Sequence, residues 1–347
     1  MLKLSYRLSR GETTITLGND AISSLGELED SLVVCPRSLR SMAISMLKGS
    51  FSIAEIDDGE DSKTLDTVVK ILDKLMDGGF RRNSRLISFG GGTASDVAGF
   101  AASLYLRGIR YTSIPTTLLS MVDASLGGKN GVNYRGVKNV LGSFYSPSDV
   151  FVDTSIVSGM PHNLIEDGIG EIAKYATIMD RELYSFLMEN TMDGILEDRE
   201  KTEYMISKCI RDKMGLVSQD EFDQEGRRVI LNFGHTFGHA LEGVSEFSIG
   251  HGHAVLGGML FETDYGAREG LISPEVGEGL HKLIRHLGFS TKEVDYLPGT
   301  RNELLKYIAS DKKSTRRSIK MPLPERIGIP KVCDVELSSI SDYLDHD

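Results

Sequence analysis

A β-prone segment that runs directly into three glycines is the feature that most constrains the fold of this chain. Residues Arg85–Phe89 are typical of a strand, Gly90-Gly91-Gly92 follow at once, and the apolar segment Val97–Leu106 is typical of a helix. A strand, a glycine turn and a helix in this order indicate a βαβ unit in a parallel sheet. Such glycines let the backbone approach a pyrophosphate at the helix N-terminus. The spacing matches neither GxGxxG nor a P-loop, so a turn that only packs against a neighbouring strand is the alternative.

The rest of the first half repeats this alternation of strands and helices. Strands are predicted at Leu32–Cys35, Phe51–Ile56 and Tyr111–Ile114, with a helix at Ser38–Lys48. A second helix is predicted from Lys63 to Met76, where apolar residues share one helical face. These residues are Leu65, Val68, Val69, Leu72, Leu75 and Met76. We therefore predict a Rossmann-like nucleotide-binding domain over residues 1–155.

Strand signals become rare after about residue 155. Helices are predicted at Asn163–Met188, Asp193–Gln219, Arg227–Gly243, Val255–Glu269 and Ser273–Leu287. Residues 156–347 are accordingly predicted to form a mainly α-helical domain. The fold class of the whole chain is then α/β.

Charge and cysteine content exclude several classes of function. The 39 basic and 50 acidic residues give a net charge of −11, which argues against nucleic-acid and anionic-membrane binding. Three distant cysteines exclude a disulfide scaffold and suit a reducing cytosol. No signal peptide is apparent, and the longest uncharged stretch, twelve residues between Arg110 and Asp123, is too short to span a bilayer. We expect a cytoplasmic protein.

The 37 glycines are concentrated in two stretches. Residues 90–142 hold ten of them and residues 231–258 hold seven, interleaved with apolar and charged residues. Glycines inside folded structure mark tight turns and close approach of the backbone to another group. These two stretches are therefore where we expect the chemistry.

The second stretch also contains a cluster of histidines. Four of the eight histidines, His235, His239, His251 and His253, fall within 19 residues. Two histidines and one carboxylate form a common zinc site with an open position for catalysis. The residues alone leave three carboxylates open as the third ligand: Glu242, Glu166 and Glu171. For any one of the histidines, the alternative is that it is an ordinary helix residue and binds no metal.

Cationic residues, some of them beside glycines, form the third candidate group. They are Lys129, Lys138 next to Asn139, Arg107, Arg228, Lys213 and Lys312. Such side chains suit a phosphate or a carboxylate ligand. A solvated surface charge is the alternative for each of them, above all for Lys312 beside Lys313.

Together these stretches resemble the 3-dehydroquinate synthase family of sugar-phosphate cyclases. The shared motifs run from about Gly59 to Gly328: GGGTASDVAGFAASLYLRG, PTTLLSMVDASLGGKNGVN, KNVLGSFYSP, GEIAKYA and LNFGHTFGHALE. The resemblance implies conversion of 3-deoxy-D-arabino-heptulosonate 7-phosphate to 3-dehydroquinate and phosphate in the shikimate pathway. It also implies transient oxidation by NAD, phosphate elimination, re-reduction and intramolecular aldol closure. A divalent metal is implied, with zinc first and cobalt second, and residues 156–347 would then form the domain that binds metal and substrate.

The resemblance also assigns roles to individual residues. It chooses Glu171, His235 and His251 as metal ligands. NAD would contact Glu60, Lys63, Gly91, Gly92, Thr93, Asp96, Thr116, Thr117, Asp123, Lys129 and Lys138. The substrate would be surrounded by Asp123, Lys129, Lys138, Asn139, Lys174, Lys213, Arg228, Asn232, His239 and Lys312. Arg107 would reach the substrate phosphate from the partner subunit, which implies a homodimer.

Three departures from the family pattern stand out. The usual HGE reads His251-Gly252-His253, so an imidazole replaces a carboxylate beside a ligand. The segment before Arg228 is one residue longer than usual, which leaves Glu221, Asp223 and Glu225 without an alignment. Leu32–Arg37 lacks the aspartate or asparagine expected near the adenine ribose, so that contact is unassigned.

Three other functions are alternatives. One is a cyclase that makes an inosose or a valiolone from another sugar phosphate. A second is a metal-dependent polyol or glycerol-phosphate dehydrogenase, which would consume NAD stoichiometrically. A third is a non-catalytic relative that serves as a binding subunit.

Overall fold

The computed structural model describes residues 1–245, 248–290, 301–310 and 318–346. The chain divides into two compact units. The first comprises residues 1–160 and 202–222, and the second comprises residues 161–201 and 223–347. The sequence boundary near residue 155 placed 202–222 in the second domain, whereas the contacts group this segment with the first unit.

The first unit is built on a seven-stranded sheet. Its strands and those of a small hairpin are β1 (Leu2–Leu8), β2 (Gly11–Gly18), β3 (Glu27–Pro36), β4 (Lys48–Ile56), β5 (Arg85–Gly90), β6 (Arg110–Pro115), β7 (Lys129–Tyr134), β8 (Val137–Phe144) and β9 (Asp149–Asp153). The sheet order is β1-β2-β9-β6-β5-β3-β4, and only the β1–β2 pair in it is antiparallel. Strands β7 and β8 form the separate hairpin. The predicted parallel sheet is thus confirmed.

Helices cover this sheet and fill the core of the unit. They are α1 (Arg40–Met46), α2 (Leu65–Asp77) and α3 (Gly92–Leu104). Thr64 caps α2 by accepting a hydrogen bond from the Thr67 N–H. The apolar face predicted for α2 was partly wrong. Val68, Ile71 and Leu75 are buried, whereas Leu65, Val69 and Met76 are exposed, because the helix packs on α3 with a face rotated toward Ile71.

The second unit is mainly helical, as predicted. Its helices are α4 (His162–Ile178), α5 (Arg181–Glu189), α6 (Met192–Leu196), the first residues of α7 (Arg199–Gln219), α8 (His235–Val244), α9 (His251–Arg268), α10 (Pro274–His286), α11 (Arg301–Ser310) and α12 (Leu337–His346). An antiparallel hairpin of β10 (Ser318–Arg326) and β11 (Ile329–Glu336), which the sequence analysis missed, completes it.

Three long predicted helices are interrupted in the structure. Asn163–Met188 breaks at Asp180, whose side chain accepts the Leu183 N–H and starts α5. Asp193–Gln219 divides into α6 and α7. Arg227–Gly243 begins as a 3₁₀ helix, Arg227–Asn232, and changes direction at Gly234, where a φ of 76° suits glycine. No helix in the described ranges combines the length and apolarity needed to cross a membrane.

Candidate metal centre and nucleotide-binding site

Three helices of the second unit bring Glu171, His235 and His251 together. Glu171 lies in the middle of α4, and the two histidines are the first residues of α8 and α9. Glu171 Oε1 lies 3.1 Å from His235 Nε2 and 3.0 Å from His251 Nε2. Within the described part of the chain these residues form a group whose potential ligand atoms all lie within 4.8 Å of one another. A carboxylate oxygen and two imidazole nitrogens are a ligand set that zinc and similar ions accept.

The electrostatics of the group also suit a cation. Burial alone would raise the pKa of Glu171, but the Lys174 ammonium beside it and the two histidines hold that pKa well below its usual range. Burial lowers the pKa of His251, but hydrogen bonds to the Glu171 and Glu242 carboxylates raise it to about 10. The surrounding carboxylates therefore favour positive charge at this point, and a divalent cation would supply it.

Glycines allow these helices to approach closely enough to form the group. A Cβ on Gly170 of α4 would lie 2.6 Å from the Cα of Gly252 on α9. A Cβ on Gly258 of α9 would lie 2.7 Å from the Gly238 N of α8. Both distances are shorter than real side chains tolerate, so only glycine fits at these crossings. The glycine surplus of residues 231–258 serves helix packing around the ligands.

The three carboxylates that the residues alone left open have different positions. Glu171 faces both histidines, as described above. Glu242 lies on the far side of His251, with Oε1 3.2 Å from His251 Nδ1. Glu166 pairs with the exposed His162 at 3.4 Å. The geometry therefore agrees with the choice of Glu171 as the carboxylate of the group.

Other predicted residues of the second unit surround this group to different degrees. Lys174 is buried against Glu171, and the His239 ring lies 5.4 Å from the His235 ring, although His239 is exposed. Arg228 is 3% exposed in the 3₁₀ helix before α8. The amide nitrogen of Asn232 is buried and has no hydrogen-bond partner among the described residues. Lys312 lies outside the described residues.

His253, the unusual imidazole after His251, does not belong to the ligand group. Its ring packs edge-on against Phe289, with centroids 4.8 Å apart. The histidine that replaces the family's glutamate, two residues after His251 in the sequence, therefore makes an aromatic contact with Phe289. Of the unaligned acidic residues, Glu225 pairs with Arg227 at 2.9 Å in the second unit, whereas Glu221 accepts the Ser9 N–H in the first.

In the first unit, the three glycines end β5 and start α3. Gly90 packs against its neighbours, since a Cβ there would lie 2.6 Å from the Ala94 Cβ and 3.0 Å from Pro36 Cδ. Packing thus explains Gly90. Gly91 and Gly92 are freer, with nearest contacts of 3.2 and 3.3 Å to Thr117 and Ala124. No side chain caps the first turn of α3. This turn fits a phosphate cradle, in which backbone N–H groups bind the anion directly.

Charged residues border this turn. Lys63 Nζ contacts Asp96 Oδ2 at 2.5 Å. Burial raises the pKa of Asp96 to about 6, although Lys63 lowers it. Glu60 accepts hydrogen bonds from Thr93 Oγ1 at 3.4 Å and from Asn133 Nδ2 at 2.9 Å. Lys63, Asp96, Glu60 and Thr93 thus lie together, as expected for residues that line one ligand.

Asn133 links this cluster to the β7–β8 hairpin. Its side-chain oxygen accepts the backbone N–H of Asn139 at 3.0 Å, which places Asn139 near Glu60. Asn133 is part of the GGKNGVN motif but was not singled out from the sequence. Its role depends on pairing between distant segments, which the motif alone does not reveal.

The remaining predicted residues of the first unit range from buried to exposed, with Thr117 and Asp123 half-buried. Lys213 on α7 is buried. Its Nζ lies 2.9 Å from the carboxylate of Asp123 and donates a hydrogen bond to the backbone carbonyl oxygen of Asp123 at 2.7 Å. Thr116 is buried and donates its N–H to the Gly90 carbonyl. The exposed residues are Lys129, Lys138, Asn139 and Arg107. At the end of β3, where the ribose contact is unassigned, Asp58 accepts the Ser38 N–H.

Comparison with known proteins decides the family. Sequence models of the N-terminal and C-terminal parts of 3-dehydroquinate synthase match residues 53–167 and 168–314. The chain belongs to the 3-dehydroquinate synthase family. It is 35% identical to 3-dehydroquinate synthase of Sulfolobus acidocaldarius over 352 aligned positions, with 99% of each chain covered. It is therefore an enzyme, as its motifs predicted.

Solved structures of related cyclases share the fold. The structure of 2-deoxy-scyllo-inosose synthase with carbaglucose-6-phosphate, NAD⁺ and Co²⁺ matches with a TM-score of 0.89 at 24% identity, covering 99% of both chains. The 2-epi-5-epi-valiolone synthase of Streptomyces hygroscopicus with NAD⁺ and Zn²⁺ matches with a TM-score of 0.85 at 25% identity, covering 99% of this chain and 97% of that one. The predicted fold class is confirmed.

Proposed function

We propose that this chain converts 3-deoxy-D-arabino-heptulosonate 7-phosphate to 3-dehydroquinate and phosphate, with NAD and a divalent metal. The observation that carries the proposal is the Glu171, His235 and His251 group in a chain of this family. Relatives that carry the 3-dehydroquinate synthase name support the choice of substrate. The shikimate pathway follows from that reaction.

The bound groups supply the redox and Lewis-acid chemistry. When bound, NAD accepts and later returns a hydride, and the metal polarises the substrate hydroxyls. Glu171, His235 and His251 would hold the metal, with zinc as our first choice and cobalt as the second. Gly91, Gly92 and Thr93 would hold the pyrophosphate of NAD. Further NAD contacts are assigned to Glu60, Lys63, Asp96, Thr116, Thr117, Asp123, Lys129 and Lys138.

Cations and amides are the proposed contacts of the substrate. Arg228 and Lys213, both buried, are the proposed partners of its carboxylate. Lys174, Asn232 and His239 are the proposed contacts of its hydroxyl and phosphate groups in the second unit. Asp123, Lys129, Lys138, Asn139 and Lys312 complete the proposed set. The work of these residues is to orient the reacting groups, a contribution that can amount to several powers of ten in rate.

A homodimer in which Arg107 acts on the partner's substrate is part of the proposal. Leu106 and Arg107 have φ values of 48° and 63°, a conformation that costs energy in residues other than glycine. Leu104 and Leu106 expose apolar side chains beside Arg107. Both features support a surface that a second subunit covers. If so, mixing inactive Arg107→Ala and inactive Glu171→Gln proteins restores activity, whereas a monomer shows no recovery.

A cytoplasmic location is also proposed. Cys35, Cys209 and Cys333 are all buried and free, which agrees with a reducing compartment.

A substrate panel tests the proposed reaction against the other cyclases. Purified protein with NAD and zinc is given the heptulosonate phosphate, sedoheptulose 7-phosphate or glucose 6-phosphate, and released phosphate is measured. We expect fast release only from the heptulosonate, because Arg228 and Lys213 favour a substrate with a carboxylate. Faster turnover of either neutral sugar phosphate would replace the proposal with an inosose or valiolone synthase.

A further inference from the structure

The two helices that carry the histidines begin without a capping side chain of their own. His235 and His251 are the first residues of α8 and α9, and the residues before them are Gly234 and Gly250. Neither glycine can accept a hydrogen bond through a side chain. The N–H groups of a first helical turn lack partners within the helix, so another part of the fold must satisfy them.

A carboxylate of α4 caps α9. Asp167 Oδ1 accepts the backbone N–H of Gly252, the second residue of α9, at 2.9 Å. Asp167 precedes Glu171 by four residues, so both carboxylates lie on the same face of α4. Helix α4 thus carries one member of the ligand group and also caps the helix that begins with another.

A carboxylate of α9 caps α8 in the same way. Glu262 Oε2 accepts the Gly234 N–H at 2.8 Å, and the Phe237 N–H in the first turn of α8 is also bonded to this carboxyl group. Glu262 is completely buried. Helix α9 therefore begins with His251, and Glu262 in the middle of α9 caps the start of α8.

We propose that Asp167 and Glu262 are positioning residues for the metal ligands, acting through these two caps. The proposal rests on the proposed metal site. Asp167 sets His251 against Glu171, and Glu262 sets His235 against the same carboxylate. The caps join α4, α9 and α8 in a series, so that all three ligands depend on two hydrogen-bonded carboxylates that contact no ligand atom themselves.

The expected effect is a loss of metal affinity. Residues that orient metal ligands from behind typically contribute 10- to 100-fold to affinity. Replacing Asp167 by alanine removes the acceptor of the Gly252 N–H, so the first turn of α9 loses its fixed position. Asp167→Asn keeps an acceptor oxygen in a side chain of nearly the same shape. The asparagine variant loses the negative charge, but the hydrogen bond that caps α9 should survive.

The test is a titration of the metal-free protein with Co²⁺, followed through the visible absorption spectrum of the bound ion. We expect Asp167→Ala to weaken binding 10- to 100-fold and to change the spectrum, and Asp167→Asn to stay within about threefold of the parent. The matched control is Glu166→Ala, which removes the neighbouring carboxylate that pairs with exposed His162. Glu262→Ala and Glu262→Gln are compared in the same way, with Asp264→Ala as the control on α9.

The outcomes separate this inference from the proposed function. If the parent protein binds no Co²⁺, the proposed metal site fails. If the parent binds and Asp167→Ala keeps the same affinity and spectrum, only the positioning role is overturned. If circular dichroism shows that an alanine variant does not fold, the Co²⁺ titrations of Asp167→Asn and Glu262→Gln test the positioning role instead. Parent-like binding supports the caps, and a tenfold loss in these variants contradicts them.

Discussion

Replacing Gly252 by alanine tests how the metal group is assembled. A Cβ at this position would lie 2.7 Å from the Asp167 Cα and 2.9 Å from the Glu166 carbonyl carbon. Both are backbone atoms of α4, so no side-chain rotation relieves the clash. Ordinary contact begins at 3.4 Å, so the Asp167 Cα alone requires α9 to move away from α4 by about 0.7 Å (3.4 − 2.7), and the Glu166 carbonyl oxygen, which would lie closest to the Cβ, requires a larger movement.

That movement separates His251 from Glu171, whose facing atoms lie 3.0 Å apart. Overpacking of this kind costs about 1–3 kcal/mol, offset by up to about 1 kcal/mol because alanine favours a helix more than glycine does. A misplacement near 1 Å in a functional site can cost on the order of 100-fold. We therefore expect a loss of metal affinity of roughly 10- to 100-fold, together with a small loss of metal-free stability.

Co²⁺ titration and thermal unfolding with and without metal measure both effects. The matched control is Gly215→Ala in α7, where a Cβ meets nothing within 4 Å. This control should gain about 0.5–1 kcal/mol of stability and bind metal as the parent does. If Gly252→Ala binds metal as tightly as the control, the close crossing of α4 and α9 does not set the ligand geometry, and the reasoning is refuted.

Three further predictions concern single side chains. Glu242→Ala should weaken metal binding about tenfold, because it removes the group that accepts a hydrogen bond from His251 Nδ1; unchanged affinity in a Co²⁺ titration would contradict this. Asp96 has a pKa raised to about 6, against about 3.9 in an unfolded chain, so the folded protein holds a proton that the unfolded chain has lost between about pH 4 and 6. We therefore expect the stability of the parent to fall, relative to that of Asp96→Asn, as the pH rises through this window. Urea unfolding at several pH values measures this, and the same pH dependence in both proteins would contradict the prediction. Thr64→Ala removes the cap of α2 and should cost about 1 kcal/mol in urea unfolding without changing metal affinity, and a change in affinity would contradict a purely local effect of the cap.

The chemistry-bearing residues were accessible from the sequence because they sit in contiguous motifs. GEIAKYA contains Glu171, and the histidines lie within 19 residues, so type and spacing alone suggested a metal group. The parallel sheet was equally accessible, since its strands and helices alternate locally.

Features that depend on distant segments were not accessible. The buried face of α2 includes Ile71 and not Leu65, because the position of α3 decides which side is covered. Asp167 and Glu262 act through helices that are far apart in the sequence. The glycines near the histidines were expected to indicate a functional site, but they are needed because helices cross closely there. No local sequence pattern predicts such a crossing.

Above all, we propose that this chain uses NAD catalytically to eliminate phosphate from a heptulosonate phosphate. The most direct measurement follows released phosphate and NADH absorbance separately in one reaction with substoichiometric NAD. We expect many equivalents of phosphate per NAD and no net NADH. NADH that accumulates in proportion to substrate consumed would contradict it and identify a dehydrogenase.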